Sequence, residues 1–387
     1  MKNLKCELER ELPRVLAFWK EHAFNPEDGS FLTLGCDNRP LPDGRRSSVL
    51  QSRILWAYSA AFCETKNKEY LEIADRAFVY LKEKFLDPVY GGVYELLDSS
   101  GDPTDRSKVI YTQSYAVYGC AAYYLAGGNR EALEAAKTIY EKIESEAFDG
   151  QTGGYLPVLG REWDRTAPND RMIMDTHLHL TESYALLHEA WPDERLRQSL
   201  KRVTEILLNR YLRPHGALYQ VLDNRWQETE DTSDRFGDEA ECAWMICKAA
   251  ERVCEPELTK RVHQASVLMM ENLLRNGYDT VHGGVFDRKN SDGSMSTDKL
   301  WWEESESVIG LLYAWEVSKK AEFAEKALET WEFIRKYILN PENEWNWKVR
   351  ADGTFVNITD PSDPLKCPYH SARICILAGQ LLKRNGI

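Results

Sequence analysis

Apolar residues recur along the chain at three- and four-residue spacing in twelve long stretches, and these stretches come in pairs. The pattern predicts helices over roughly Lys5 to His22, Ser47 to Glu64 and Lys68 to Phe85. Further helices begin near Ser107, Arg130, Met174, Asp193, Phe236, Glu257, Asp298, Ala321 and Leu365. Between the pairs the pattern breaks into a short polar turn that the chain writes again and again. It reads Asp28-Gly29-Ser30-Phe31, Tyr90-Gly91-Gly92-Val93-Tyr94, Gly153-Gly154-Tyr155, His215-Gly216-Ala217-Leu218-Tyr219 and Gly283-Gly284-Val285-Phe286. Its last copy, Glu344-Trp345-Asn346-Trp347, lacks glycine. Counted from Gly29, Gly91, Gly153, Gly216, Gly283 and Glu344, the intervals are 62, 62, 63, 67 and 61 residues, a sixfold repeat.

The two helices of each unit differ in polarity. Odd-numbered helices carry Lys, Glu and Arg on a solvated face, as in Leu196-Arg197-Gln198-Ser199-Leu200-Lys201-Arg202, whereas even-numbered ones follow the hairpins and hold the unusual residues. Val109 to Gly128 holds no charge at all. Its hydroxyls on Tyr111, Thr112, Ser114, Tyr115, Tyr118, Tyr123 and Tyr124 make it a poor membrane span and a good buried helix. Six hairpin loops at one end, an inner ring of even helices and an outer ring of odd ones make an all-α (α/α)6 barrel with a funnel under the loops. An open solenoid is normally capped by atypical polar repeats, and none is visible. Length alone allows two or three domains. The markers run evenly without a linker, so the expectation is one catalytic domain over residues 1–387.

Composition narrows the partners. A net charge of -13 and a pI near 5.3 argue against nucleic acid or an anionic membrane surface. Nine cysteines without a CxxC pair fit reduced thiols in a cytoplasmic protein, and no zinc spacing appears. The first ten residues are charged and helical in pattern, unlike a signal peptide. A monomer or a homodimer is expected.

The unusual residues collect in the first turns of the even helices, where the funnel should open. Arg53 lies among apolar residues and needs a partner, either a core glutamate or sugar oxygens. Tyr111 and Tyr115 lie on the next even helix. His177 and His179 are two apart and cannot share one face, whereas His179 and Glu182 can. Asp175 opens the same helix. Asp238 and Glu241 repeat the three-residue spacing with two carboxylates, a pair suited to general acid/base work or simply to a helix N-terminus. Trp301 and Trp302 offer flat faces on which a pyranose stacks, or are plain packing; Glu306 follows them. His370 and Arg373 open the last even helix, where an imidazole titrates near neutral pH or only caps.

Four segments in this order resemble the N-acylglucosamine 2-epimerase superfamily, and within it the cellobiose 2-epimerases. They are Ser52-Arg53-Ile54-Leu55-Trp56, Leu178-His179-Leu180-Thr181-Glu182, Trp301-Trp302 with Glu306, and Cys367-Pro368-Tyr369-His370. The resemblance spans about residues 4 to 380. It implies metal- and cofactor-independent chemistry on a reducing sugar: mannose, glucose, or a β-1,4-linked disaccharide such as cellobiose or mannobiose. Ring opening exposes an aldehyde, a base removes the C2 proton, and the enediolate is reprotonated at C2 or C1. By the same resemblance His370 is one acid/base, Glu241 and His179 serve ring opening and hydroxyl binding, and Arg53 contacts substrate oxygens. Two positions depart from the family pattern. Gly237-Asp238-Glu239-Ala240-Glu241 has aspartate where the second acid/base histidine stands, and Gln51 replaces the histidine common before Ser-Arg-Ile-Leu-Trp. Two other readings stay open, a glycoside hydrolase using the carboxylates Asp238, Glu241, Glu303, Glu304 and Glu306 on the same toroid, and a noncatalytic sugar-binding homologue.

Overall fold

The computed structural model describes residues 1–35, 37–41, 44–165, 169–356 and 366–387. Its twelve α-helices are α1 Lys2–His22, α2 Ser48–Thr65, α3 Lys68–Tyr80, α4 Ile110–Gly127, α5 Arg130–Lys142, α6 Met174–Ala190, α7 Glu194–Ile206, α8 Phe236–Val253, α9 Pro256–Asn272, α10 Trp301–Ser318, α11 Ala321–Phe333 and α12 Tyr369–Arg384. Every expected helix is present. The predicted starts of α4 and α10 come three residues too early, because short strands, Lys108–Val109 and Lys299–Leu300, occupy those positions. The expected start of α12 near Leu365 lies outside the described residues, as does Cys36.

The even helices form a closed inner ring, α2 packing on α4, α4 on α6, α6 on α8, α8 on α10, α10 on α12 and α12 back on α2. The odd helices pack outside them, so the architecture is the (α/α)6 barrel. Burial follows polarity. Ser48 through Ser59 of α2 is buried without a break, and so is Phe236 through Cys247 of α8, whereas α7 buries only its Leu196, Leu200 and Val203 stripe with Ser199, Thr204 and Ile206. Asn67, Asn129 and Asp193 cap the outer helices α3, α5 and α7 through backbone N–H groups at 2.9–3.2 Å.

Five outer helices end in a wider turn that periodicity did not reveal. Leu81–Phe85, Ile143–Ala147, Leu207–Tyr211, Leu273–Gly277 and Ile334–Ile338 are π turns, and the amides of Leu86, Leu212 and Leu339 reach back five residues, at 2.8–3.1 Å. This turn redirects the chain into the hairpin at the same point of each repeat.

The hairpins also stitch neighbouring repeats together. The strand before each of the first five inner helices pairs antiparallel with the hairpin of the next repeat: Arg46 with Leu97, Lys108 with Leu159, Met172 with Leu222, Asp234 with Lys289, and Leu300 with Lys348. A buried side chain on the inner helix then clamps the hairpin backbone. Gln113 accepts from Val93 N–H and donates to Val93 C=O, both at 2.8 Å. Gln51 holds Phe31 the same way, and His177 Nε2 accepts from Tyr155 N–H at 3.1 Å. The approach at Gln113 is why Gly92 carries no side chain: its φ is +70°, and a Cβ there would sit 2.6 Å from the Gln113 amide oxygen.

Candidate active site

At equivalent positions of the six inner helices, two residues beyond Gln51, Gln113 and His177 in the first three, six side chains recur at intervals of 62, 64, 62, 65 and 67 residues: Arg53, Tyr115, His179, Glu241, Glu306 and Arg373. They form the floor of the funnel and are linked to one another. Arg53 donates to the Tyr115 hydroxyl at 2.6 Å and to the Tyr111 hydroxyl at 2.9 Å. His179 Nδ1 lies 3.0 Å from the Tyr115 hydroxyl and 3.2 Å from Glu182 Oε2. On the other side Arg373, fully buried, donates to Glu182 at 2.9 Å and to Glu306 at 3.0 Å, and also to Glu241. The Arg53 guanidinium lies 4.3 Å from the centre of the Tyr115 ring and 4.8 Å from that of Tyr369.

Above this floor lies a cavity of about 190 Å³ lined by Arg53, Tyr111, Asp175, His179, Arg235, Asp238, Glu241, Trp301, Trp302 and His370. Nine of these ten were singled out from the sequence. The remaining three predicted site residues, Tyr115, Glu306 and Arg373, sit behind the wall and hold the residues that face in. Arg235 was missed. It occupies the position just before an inner helix, where three other repeats place Val109, Ile173 and Leu300, so an arginine in a slot that is apolar in those repeats was the signal.

His370 is held through one edge of its ring. Its Nδ1 lies 2.8 Å from Glu306 Oε1 and 3.2 Å from Arg373 Nη2. Arginine is donor-only, so the shorter, charge-assisted contact to the carboxylate places the proton on Nδ1 and leaves Nε2 as the basic nitrogen. Burial, with Arg373 and Arg53 nearby, pushes the imidazole well below its usual pKa, so it is neutral at physiological pH. Trp302 lies against it with ring centres 5.7 Å apart, and Trp301 meets it edge-on at 6.2 Å. Burial opposes ionisation of Glu182, yet Arg373, His179 and Tyr369 bring it down to about 2. Burial raises Glu306, and Arg373 and Trp244 partly offset that.

The side of the cavity formed by α6 and α8 is acidic. Burial raises Asp238 well above the carboxylate range, with Asp175 and Glu241 adding to the rise and Arg235 opposing it. Burial raises Asp175 too, reinforced by Glu241 and opposed by His179, Arg235 and Arg53. Gly237 lets α8 approach α10 here, since a Cβ would lie 2.6 Å from Glu303 Cγ and 2.8 Å from the Trp302 ring. Glu241, Glu306 and His370 come within 4.8 Å of one another, close enough to share a cation. The Arg373 guanidinium already occupies that role, contacting all three.

Of the two departures from the family pattern, only one reaches the cavity. Asp238 lines it, whereas Gln51 is the hairpin clamp on Phe31, equivalent to Gln113 on Val93.

The sequence profile of the N-acylglucosamine 2-epimerase family matches residues 29–373. The chain belongs to that family. It is 32 % identical to the cellobiose 2-epimerase of Bacteroides fragilis, over 96 % of this chain and 98 % of that one. It is 24 % identical to the N-acylglucosamine 2-epimerase of Mus musculus, over 98 % and 91 %. Among solved structures, the cellobiose 2-epimerase of Bacillus thermoamylovorans superposes with a TM-score of 0.91 at 27 % identity, covering 98 % of this chain and all of that one. As a member of this family the protein is an isomerase of the carbohydrate epimerase type. Among the described residues no helix is long and apolar enough to cross a membrane, and the eight described cysteines are all free.

Proposed function

We propose that this protein is a metal-independent 2-epimerase acting on the reducing end of a β-1,4-linked disaccharide such as cellobiose, with glucose and mannose as smaller substrates. The observation that carries the reading is the convergence on one cavity of about 190 Å³ of His370, held through Nδ1 by Glu306, and Asp238, whose carboxyl pKa burial raises. That volume lies below the ~300–1,000 Å³ that encloses a drug-sized ligand. One sugar ring therefore occupies the cavity and a second ring lies in the open funnel. Likeness to cellobiose 2-epimerases along nearly the whole chain supports the disaccharide.

In this reading Arg53, Tyr111 and Arg235 hold the substrate oxygens, and Trp302 supplies the apolar face. His179 and Glu241 assist ring opening by moving the proton between O1 and O5. His370 Nε2 then removes the proton at C2, and the Arg53 side of the cavity stabilises the enediolate oxygen. Asp238 is the second acid/base. Glu306 and Arg373 orient His370 without touching the sugar.

Incubation of the protein with cellobiose, mannobiose, glucose and mannose in the presence of a chelator tests this directly. The expected product is the 2-epimer, with the corresponding ketose as a side product. Release of monosaccharide from the disaccharides would instead assign a hydrolase, and no change in any sugar would assign a binding protein.

A further inference from the structure

Asp238 does not stand alone in the cavity. Asp175 lies in the first turn of α6 and Asp238 in the first turn of its neighbour α8, and both line the same space. The groups facing them are unequal. Arg235 and Arg288 favour the charged form of Asp238, against Asp175 and Glu241. His179, Arg235 and Arg53 favour the charged form of Asp175, against Glu241. Asp238 is only 7 % exposed. Two carboxyl groups lining one cavity, Asp238 buried and Asp175 half-buried, cannot both ionise cheaply, and the one with more cationic company ionises first.

We propose that Asp175 and Asp238 act as a pair holding one proton between them, with Asp175 keeping that proton on Asp238 for delivery to C2. This rests on the acid/base reading above and adds Asp175, otherwise only a sugar contact, as the residue that sets the protonation of the second acid/base. In the direction that starts from neutral His370, Nε2 takes the C2 proton. The C–H electron pair becomes the C1–C2 double bond of the enediolate, with the charge on O1. As the C1 carbonyl re-forms, those electrons take the proton from the Asp238 carboxyl, which lines the same cavity from α8. Asp238 ends ionised and His370 protonated, and solvent resets both. An aspartate can thereby fill a position that otherwise uses the higher intrinsic pKa of histidine.

The test is the pH dependence of kcat for Asp175→Asn with the sugar that the wild type turns over. Removing the neighbouring charge lets Asp238 ionise at lower pH. The alkaline limb is expected to move down by about one pH unit or more, with turnover at pH 8 falling roughly tenfold and KM staying within a few-fold. A raised KM with an unmoved kcat profile would overturn the pair and leave Asp175 a binding residue. Asp238→Asn separates this failure from failure of the reading beneath it. If that variant forms the 2-epimer as fast as wild type, Asp238 is no acid/base and the pair falls with it. If it is inactive while Asp175→Asn keeps the wild-type profile, the pair alone falls. Should Asp175→Asn not fold, infrared difference spectra of wild type against Asp238→Asn at neutral pH decide: a protonated-carboxyl stretch supports the pair, and a carboxylate signal alone overturns it.

Discussion

His370 is the side chain on which the chemistry turns, and its environment states what losing it should do. Nδ1 is tied to Glu306 and Arg373, so an asparagine keeps much of the shape and loses the basic nitrogen. His370→Asn is expected to fold, by circular dichroism and melting temperature, and to lose ~10²–10⁴-fold in kcat. Activity within a few-fold of wild type would remove His370 from the mechanism. Trp302 makes the contrasting case. It is a half-buried apolar face beside the ring of His370, and such a face binds ground and transition states alike. Steady-state kinetics of Trp302→Ala should show mainly a higher KM, and a pure loss of kcat would contradict the stacking role. These residues were legible because polar and aromatic groups stand out in helices that are otherwise apolar. The sequence could not tell a guanidinium that faces a sugar from one that faces carboxylates, and Arg373 proves to be the second kind, with Glu182, Glu241 and Glu306 around it. Spacing favoured His179 over His177 for the site, with a structural histidine as the alternative. His177 clamps a hairpin and His179 lines the cavity.

The inner helix and its hairpin form the working element, and one clamp carries a pH dependence. In α10 the clamp is Glu304, which accepts from Val285 N–H at 2.9 Å, just as Gln113 accepts from Val93. Burial lifts its pKa to about 8, with Lys299 partly opposing, so at neutral pH it carries a proton as a neutral stand-in for glutamine. The unfolded chain ionises this group near its ordinary value of 4.5 while the folded one holds its proton. Folding stability from this group is therefore full below about pH 4.5 and is lost progressively as pH rises to about 8. Glu304→Gln removes that dependence. Chemical denaturation across pH 5 to 9 should show the variant gaining on wild type, by on the order of a few kcal/mol above pH 8. A constant difference across that range would mean that Glu304 is ionised in the folded state. The helices themselves were readable from apolar spacing. The π turns that end the outer helices were not, because a single extra residue per turn leaves the apolar period of a long helix almost unchanged.

At the scale of the whole molecule, a sixfold pattern in the loops was enough to predict a closed ring, because paired helices with alternating polarity need one layer inside the other. Closure itself, α12 packing on α2, is a long-range fact to which no local pattern points. The ring explains the site: six equivalent positions, one per repeat, carry four residue types; Arg53, His179 and Glu241 line the cavity and Tyr115, Glu306 and Arg373 support them, an arrangement that no single repeat encodes. Sixfold architecture is shared by enzymes of different chemistry, so function rests on what fills those positions. The most direct test is to follow wild-type protein with cellobiose in D2O by NMR, with a chelator present. The account predicts the 2-epimer carrying deuterium at C2, with label also entering the recovered substrate, because both pass through one enediolate whose proton donors exchange with solvent. Cellobiose cleaved to glucose, or epimer formed only once a divalent metal is restored, would contradict it.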